Sequence, residues 1–128
     1  MILFSMRFVI WRANRIDDSK TLMKRWNKRI QFDVSGVAPF YVQIQEGIAS
    51  LKKGKPDKTD LTIKGSKKGF YKIMRGELKF EEAFLRKQFE TIGSIRDAAI
   101  FNRIVSTVMD SHKHTLPFMQ RIAGVFMA

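Results

Sequence analysis

Two consecutive runs of alternating apolar and polar residues restrict the fold of this chain more than any other feature. The run RIQFDVSG, residues 29–36, places an apolar side chain at every second position, and FYVQIQEG, residues 40–47, repeats the pattern. A period of two is typical of strands that bury one face. The Glu46-Gly47 pair that ends the second run predicts a hairpin turn. We therefore expect an antiparallel sheet with one apolar face.

Two weaker strand patterns follow in the next twenty residues. IASLKKG ends at a turn spanning 54–57, and TDLTIKGS places Leu61 and Ile63 on one face. Since four consecutive strands are joined by short turns, the sequence predicts an antiparallel meander.

Helical periodicity flanks these strands on both sides. Asp17, Asp18 and Ser19 offer N-cap oxygens and acidic first-turn charge for a second helix, and Gly76 is expected to end a later one. A fifth strand is predicted around Phe89–Ile92. Helices are predicted over 1–16, 17–28, 67–74, 80–87, 95–110 and 116–128. The order of helices, four strands, helices, one strand and helices indicates a segregated α+β fold.

The length of 128 residues favours one domain. We divide it into N-terminal helices over 1–29, a core over 30–110 and a C-terminal helix or lid over 115–128. The apolar run of the first eleven residues is shorter than the roughly 20 residues that span a bilayer. It also lacks the basic start and the cleavage site of a signal peptide. We expect its apolar side to be buried, in the fold or against a membrane surface.

Short motifs between Phe32 and Ile104 occur in a characteristic order. Two alternating strands end in a Glu-Gly turn, and a later strand opens with Asp. A helix then ends in Met-x-Gly, a second helix contains Ala-Phe, and a strand ending in Gly leads into a helix containing Ala. The motifs read FDVSG with FYVQIQEG, TDLTI, IMRGEL, EEAFL and QFETIGSIRDAA. In this order they resemble the sterol carrier protein type-two family, the non-specific lipid-transfer domain.

The resemblance implies an α+β fold: a five-stranded, mainly antiparallel sheet covered on one face by helices, which enclose a hydrophobic tunnel. It implies binding and carriage of a fatty acyl chain, acyl-CoA, phospholipid, sterol or isoprenoid, without covalent chemistry and without a cofactor. Such a site needs an apolar concavity with few polar groups. The expected ligand-binding residues are Phe70, Ile73, Met74, Phe80, Phe84, Phe89, Thr91, Phe101 and Ile104, together with Phe118, Met119 and Ile122 from the C-terminal lid.

The same apolar residues also fit a solid core, because apolar stripes at helical spacing usually serve packing. The chain contains 11 Phe residues, which are bulky enough to fill a tunnel completely. Two departures from the family pattern stand close to the expected site. Lys87 stands where the family often has Gly, and Thr91 replaces a residue that is usually aliphatic. A polar residue at 91 is expected to narrow, polarise or shift the pocket, which counts against sterol.

The net charge of +12 is concentrated in residues 1–69, which hold 15 Lys and Arg against 6 Asp and Glu. A basic half predicts attraction to an anionic membrane, to nucleic acid or to a partner enzyme, although a solvated Lys-rich surface also explains it. The basic runs contain no aromatic residue to stack on bases, which disfavours nucleic acid. The expected surface contacts, in adjacent loops at one end of the sheet, are Lys52, Lys53, Lys55, Lys58, Lys64, Lys67 and Lys68.

Catalytic patterns are weak. The Gly- and Lys-containing loops lack P-loop spacing, and His112 and His114 stand without a Cys or carboxylate set that would complete a metal site. We therefore predict a protein that is not an enzyme and has no metal. The sequence contains no Cys, which excludes disulfides and fits a reducing cytoplasm. A homodimer is left open, with the C-terminal segment as one potential self-association patch.

Overall fold

The computed structural model describes the backbone of residues 2–75 and 77–110, and the side chains of residues 6–73, 75, 77–79 and 81–109. This part of the chain contains five helices and five strands, which confirms the α+β prediction. The helices are α1 (Ile2–Ala13), α2 (Asp17–Met23), α3 (Lys67–Met74), α4 (Phe80–Leu85) and α5 (Ile95–Asp110). The strands are β1 (Lys28–Val34), β2 (Phe40–Gln45), β3 (Ile48–Lys53), β4 (Leu61–Gly65) and β5 (Phe89–Gly93).

The five strands form one sheet in the order β3-β2-β1-β4-β5, so that β1 is the central strand. Ile30, Phe32 and Val34 of β1 are buried, as the period of two predicts. The β2–β3 hairpin turns at Glu46-Gly47, where both residues adopt positive φ angles of 53° and 79°. The predicted hairpin is thereby confirmed, since two left-handed residues match the twist of the strands they join.

The predicted meander is wrong for β4, which pairs with β1 in parallel instead of following β3. The link after β3 returns to the end of the sheet at which β1 begins. Asp60 then fixes the start of β4 beside β1: its carboxylate accepts from the Arg29 N–H at 2.9 Å, and its own N–H donates to the Arg29 carbonyl at 3.0 Å. Local spacing gave no indication of this partner. The other three strand pairings are antiparallel.

Two further details of the N-terminal prediction need correction. Helix α2 ends at Met23 rather than Lys28, and its N-cap is Ile16, which makes no side-chain cap. Ser19 is fully buried, and its hydroxyl group bridges the end of α1 to the start of α2 through the carbonyls of Ala13 at 2.6 Å and Ile16 at 2.9 Å. Burial of a polar side chain is tolerated here because its hydrogen bonds are made.

The later helices begin and end close to the predicted positions. Ser66 caps α3 by accepting from the Gly69 N–H at 3.0 Å, and α5 covers 95–110 as predicted. The predicted helix stop at Gly76 and the predicted C-terminal helix over 116–128 lie outside the described residues. None of the described helices combines the length and apolar content needed to cross a membrane.

Helix α1 lies against the β3 edge of the sheet, and one side chain fastens it there. Asn14 Nδ2 donates to the Ala49 carbonyl at 2.8 Å, and Asn14 Oδ1 accepts from the Ala49 N–H at 2.8 Å. The amide thus occupies backbone groups that an edge strand would otherwise offer to another chain. Met6, Val9, Ile10 and Ala13 on the same helix are buried in the core.

Asn14→Ala should lower the free energy of unfolding by about 1–3 kcal/mol, because it leaves both backbone groups of buried Ala49 without partners. Asn27→Ala is the matched control, since Asn27 Oδ1 accepts a single exposed hydrogen bond from the Glu46 N–H. Urea unfolding of both variants measures the difference. Equal losses in the two variants would contradict the role assigned to Asn14.

Candidate functional site

A cavity of about 60 Å³ lies between the inner face of the sheet and the helices. All of its lining side chains are apolar, so a ligand inside would find no hydrogen-bonding group from a side chain. Water gains little in such a space, which favours hydrocarbon. The strands and α2 contribute Phe32, Val42, Ile44, Ala49 and Met23, and the other helices contribute Met6, Val9, Ile10, Ala13, Phe70, Ile73, Phe101, Ile104, Val105, Val108 and Met109.

Aromatic rings form one wall of the cavity. Phe32 of β1 stacks on Phe40 with ring centroids 5.0 Å apart, and it meets Phe70 and Phe101 edge-to-face at 5.8 and 5.9 Å. Phe70 in turn meets Phe89 edge-to-face at 4.6 Å. Because these pairs join the sheet to α3 and α5, they hold the two helices at a fixed distance above it.

A buried polar cluster fixes the start of α5, the helix that supplies five lining residues. The Trp26 indole N–H donates to Asp97 Oδ1 at 3.0 Å, and the Lys28 ammonium lies 3.4 Å from Asp97 Oδ2. Ser94 Oγ accepts from the Asp97 N–H at 3.3 Å, which caps the helix. Both carboxylate oxygens therefore have partners, as burial of a charge requires.

A profile of the SCP-2 sterol transfer family matches residues 11–106, about three-quarters of the chain. The chain belongs to this family. The match begins within α1 and ends within α5, so it includes the whole sheet and most of the cavity lining. No curated protein matches the sequence closely enough to count as a relative.

Solved structures with the same fold have low sequence identity to this SCP-2 family member. Palmitated SCP2L2 from Aedes aegypti has 16% identity and a TM-score of 0.65, over 79% of this chain and 90% of that one. The ubiquinone synthesis protein UbiJ-SCP2 has 15% identity and a TM-score of 0.64, over 80% and 86%. At such identities the likeness shows the fold alone.

The third structural neighbour is much longer than this chain. The inverting sec-alkylsulfatase Pisa1 from Pseudomonas sp. has 14% identity and a TM-score of 0.56, over 66% of this chain. The chain spans only 14% of the length of that enzyme. The SCP-2 fold therefore also occurs within a larger protein that is described as a catalyst.

The structure distributes the predicted ligand-binding residues over three places. Phe70, Ile73, Phe101 and Ile104 line the cavity. Phe89 is buried behind Phe70. Phe84 and Thr91 lie apart from the cavity, in a groove of about 360 Å³ between α4, β5 and α5. The side chains of Met74 and Phe80 are outside the described part, as are Phe118, Met119 and Ile122.

Sequence reasoning missed the contribution of α1 and the strands to the cavity. Met6, Val9, Ile10 and Ala13 follow the i, i+3, i+4, i+7 spacing of one helix face on α1, and this stripe was a usable signal. The inward residues of β2 and β3, which include Val42, follow the period of two but were assigned only to a sheet face. Whether any of these residues contacts a ligand stays a prediction.

The predicted basic surface is concentrated at one end of the sheet, with one exception. Lys53 is the last residue of β3 and Lys55 follows it, while Lys64 and Lys67 flank the end of β4, which lies beside the end of β1. Lys52 and Lys68 neighbour these residues in the chain. Lys58 instead lies with Arg29 and Asp60 at the opposite end of the sheet. Because β4 runs parallel to β1, the link before β4 returns to the opposite end of the sheet, and Lys58 in that link is separated from the other lysines.

Asp97→Ala should lower the free energy of unfolding by about 1–3 kcal/mol, because the buried Trp26 N–H loses its acceptor. Asp97→Asn is the comparison variant, since it keeps an oxygen for the indole and should lose less. Denaturant unfolding followed by Trp fluorescence measures both. An Asp97→Asn loss as large as that of the alanine variant would show that the Lys28 ion pair, and not the indole bond, carries the effect.

Proposed function

We propose that this chain binds and carries a hydrophobic ligand with a hydrocarbon chain, and that it does so without catalysis. The observation that carries the proposal is the cavity, whose lining side chains are all apolar. Its position between sheet and helices gives the ligand a fully desolvated environment. The Aedes aegypti relative, described as palmitated, supports an acyl chain as the ligand class.

Catalysis would require a nucleophile, an acid or base, or a metal beside the ligand. The cavity lining contains none of these groups. The described residues also hold no cluster of three His, Cys, Asp or Glu side chains that is arranged for a metal ion. Within the lined space the chain can bind and release a ligand, but it has no side chain that transfers a proton or forms a bond.

The cavity is too small for a complete acyl chain in the described arrangement. A volume of about 60 Å³ corresponds to roughly four to six water-sized spheres. Binding therefore requires lining side chains to move. Met6, Met23 and Met109 suit this task, because an unbranched thioether chain changes rotamer with little steric hindrance.

Delivery of such a ligand takes place at a membrane, and α1 is suited to an anionic one. Its inner side lines the cavity, while Trp11 is 49% exposed and carries the Arg15 guanidinium 4.6 Å from its ring centre. The helix contains no acidic residue. An aromatic ring with basic neighbours is typical of helices that lie at the bilayer interface. The lysines at the sheet end add diffuse attraction.

Contact of α1 with a bilayer predicts that brominated anionic lipids quench Trp11 fluorescence. The other tryptophan, Trp26, is buried and should be protected. The measurement compares wild type with Trp11→Phe in vesicles containing phosphatidylglycerol. If vesicle-bound wild type and vesicle-bound Trp11→Phe are quenched equally, the lysines and not α1 make the membrane contact.

Native mass spectrometry, followed by organic extraction, tests the proposed function directly. A co-purifying fatty acid, phospholipid or isoprenoid would support carriage and identify the chain class. A clean apo mass, with no displacement of a fluorescent fatty acid, would contradict it. The second candidate, an accessory module held against a partner enzyme, would then be favoured. The exposed side chains of Leu85 and Ile95, 71% and 89% accessible, support that candidate.

Ala13→Leu should lower affinity for a fluorescent fatty acid at least several-fold, because the added methyl groups occupy the cavity. Filling empty space adds about 24 cal/mol per Å³, so stability should be kept or raised by up to about 1 kcal/mol. Ala38→Leu, at an exposed turn position, is the control for added apolar surface. Unchanged affinity in a stable Ala13→Leu protein would place the ligand elsewhere.

The absence of Cys from the sequence supports a reducing compartment such as the cytoplasm as the place of action.

A further inference from the structure

A second, polar groove of about 570 Å³ lies where the parallel strands β1 and β4 both end. Three lysines line it: Lys55 from the link after β3, Lys64 from β4 and Lys87 from the turn before β5. Ser35 adds a hydroxyl group. The carboxylates in the lining are Asp33 and Glu90, which stand on either side of Lys64 in the strand register.

Lys87 occupies a backbone conformation that a lysine adopts only at a steric cost. Its φ angle is +59°, in the left-handed region that favours glycine. It stands just after α4 in a Schellman motif: the Lys87 N–H donates to the Phe84 carbonyl at 3.1 Å, and the Gln88 N–H donates to the Ala83 carbonyl at 2.9 Å. The turn therefore requires a left-handed residue and makes no use of the lysine side chain.

Lys87 is one of the residues that line the groove. It is exposed, and neither it nor Lys55 forms an ion pair with a carboxylate in the part of the chain that the structure describes. Strained backbone conformations persist when the surrounding structure holds them in place, and they cluster at functional sites. Since Asp33 and Glu90 offset part of the charge, the groove suits an anion with several oxygens that meets more than one ammonium group at once.

We propose that this groove binds a phosphate group, with Lys55, Lys64 and Lys87 as its cationic contacts and Ser35 as a hydrogen-bond donor. Lysine ammonium groups act as point charges towards phosphate, and the three lysines outnumber the two carboxylates of the lining, so the groove keeps a net positive charge for an anion with several acceptor oxygens. The phosphate is either free or part of a lipid head group. Only the second source rests on the function proposed above.

The contact between Phe70 and Phe89 favours a lipid head group as the source of the phosphate, because it connects the groove to the apolar cavity. Phe89 belongs to the lining of the groove, its ring meets Phe70 edge-to-face, and Phe70 lines the apolar cavity. The ring of Phe89 lies directly over Gly65, where even a Cβ atom would overlap it. The lining of the groove thus adjoins the lining of the cavity through one ring contact, while the side chains of Asp33, Lys64 and Glu90 point to the opposite face of the sheet.

The test is a titration of ¹⁵N-labelled protein with inorganic pyrophosphate, followed by amide chemical shifts. We expect saturable shifts at the amides of Ser35, Gly65, Lys87 and Gln88. Lys87→Gly should weaken this binding about fivefold, the equivalent of about 1 kcal/mol for one lysine near the anion. The same variant should raise the thermal midpoint by roughly 2–6 °C, because glycine adopts the left-handed conformation without strain.

A binding role for Lys87 predicts that Lys87→Gly lowers the affinity for pyrophosphate and raises the thermal midpoint, whereas a purely structural role predicts the higher midpoint alone. Three further variants support the comparison. Glu46→Gly relieves another left-handed residue at the far end of the sheet and should raise the midpoint without weakening pyrophosphate binding. Lys58→Gln removes one charge at that far end and should leave the groove shifts unchanged. Lys87→Arg keeps the cation and should retain most of the affinity.

Three results would contradict a phosphate site in the groove. The amides around Lys58 could shift as much, and with the same affinity, as those of the groove, or a stabilised Lys87→Gly protein could keep full affinity. Titration without any saturable shift is the third, and each of them would leave only diffuse attraction to surface charge. Vesicles with and without phosphatidic acid distinguish the two sources. Loss of vesicle binding in Lys87→Gly assigns the site to a lipid head group. Pyrophosphate binding without an effect on vesicles assigns it to a free phosphate, independently of lipid carriage.

Discussion

The packing of Phe32 at the centre of the sheet is the contact on which the other features depend. It stands on the central strand, stacks on Phe40 of the neighbouring strand, and receives the edges of Phe70 and Phe101 from two helices. Edge-to-face geometry keeps ring centroids well apart, so the helices are held above the sheet rather than pressed onto it. A void remains beside these rings because the smaller side chains further along, such as Ala13 and Ala49, do not fill the space.

The small size of that void is consistent with a carrier, provided that the lining rearranges. Each methylene group moved from water into an apolar site contributes roughly 0.8 kcal/mol, so a long acyl chain supplies enough free energy to reposition several side chains. Methionines contribute flexibility at three points of the lining. The aromatic wall, in contrast, is fixed by mutual contacts and by the Asp97 cluster at the start of α5. Expansion is therefore expected towards α1, whose attachment to the sheet edge includes the two hydrogen bonds of Asn14.

The sequence predicted what local spacing can encode. The alternation in β1 and β2, the Glu46-Gly47 turn, and helices α3 and α5 agree with the structure because each depends on residues only a few positions apart. The pairing of β4 with β1 was missed, since it depends on the contact of Asp60 with Arg29, 31 residues away. The Trp26–Asp97 hydrogen bond joins residues 71 positions apart, so local spacing could not predict it either. Composition also could not separate core from cavity, because Phe89 and Phe101 are both buried while only Phe101 lines the void.

The fold places its apolar cavity and its lysine-lined groove at two different positions. Hydrocarbon is held most strongly where water is excluded, yet an anionic head group loses solvation if it follows the chain inside. Phe70 lines the cavity and contacts Phe89 of the groove lining, while the lysines of the groove remain exposed to water. Lys87 strengthens the groove at the expense of backbone strain in the turn. The turn after α4 therefore combines a small loss of stability with a cation in the lining of the groove.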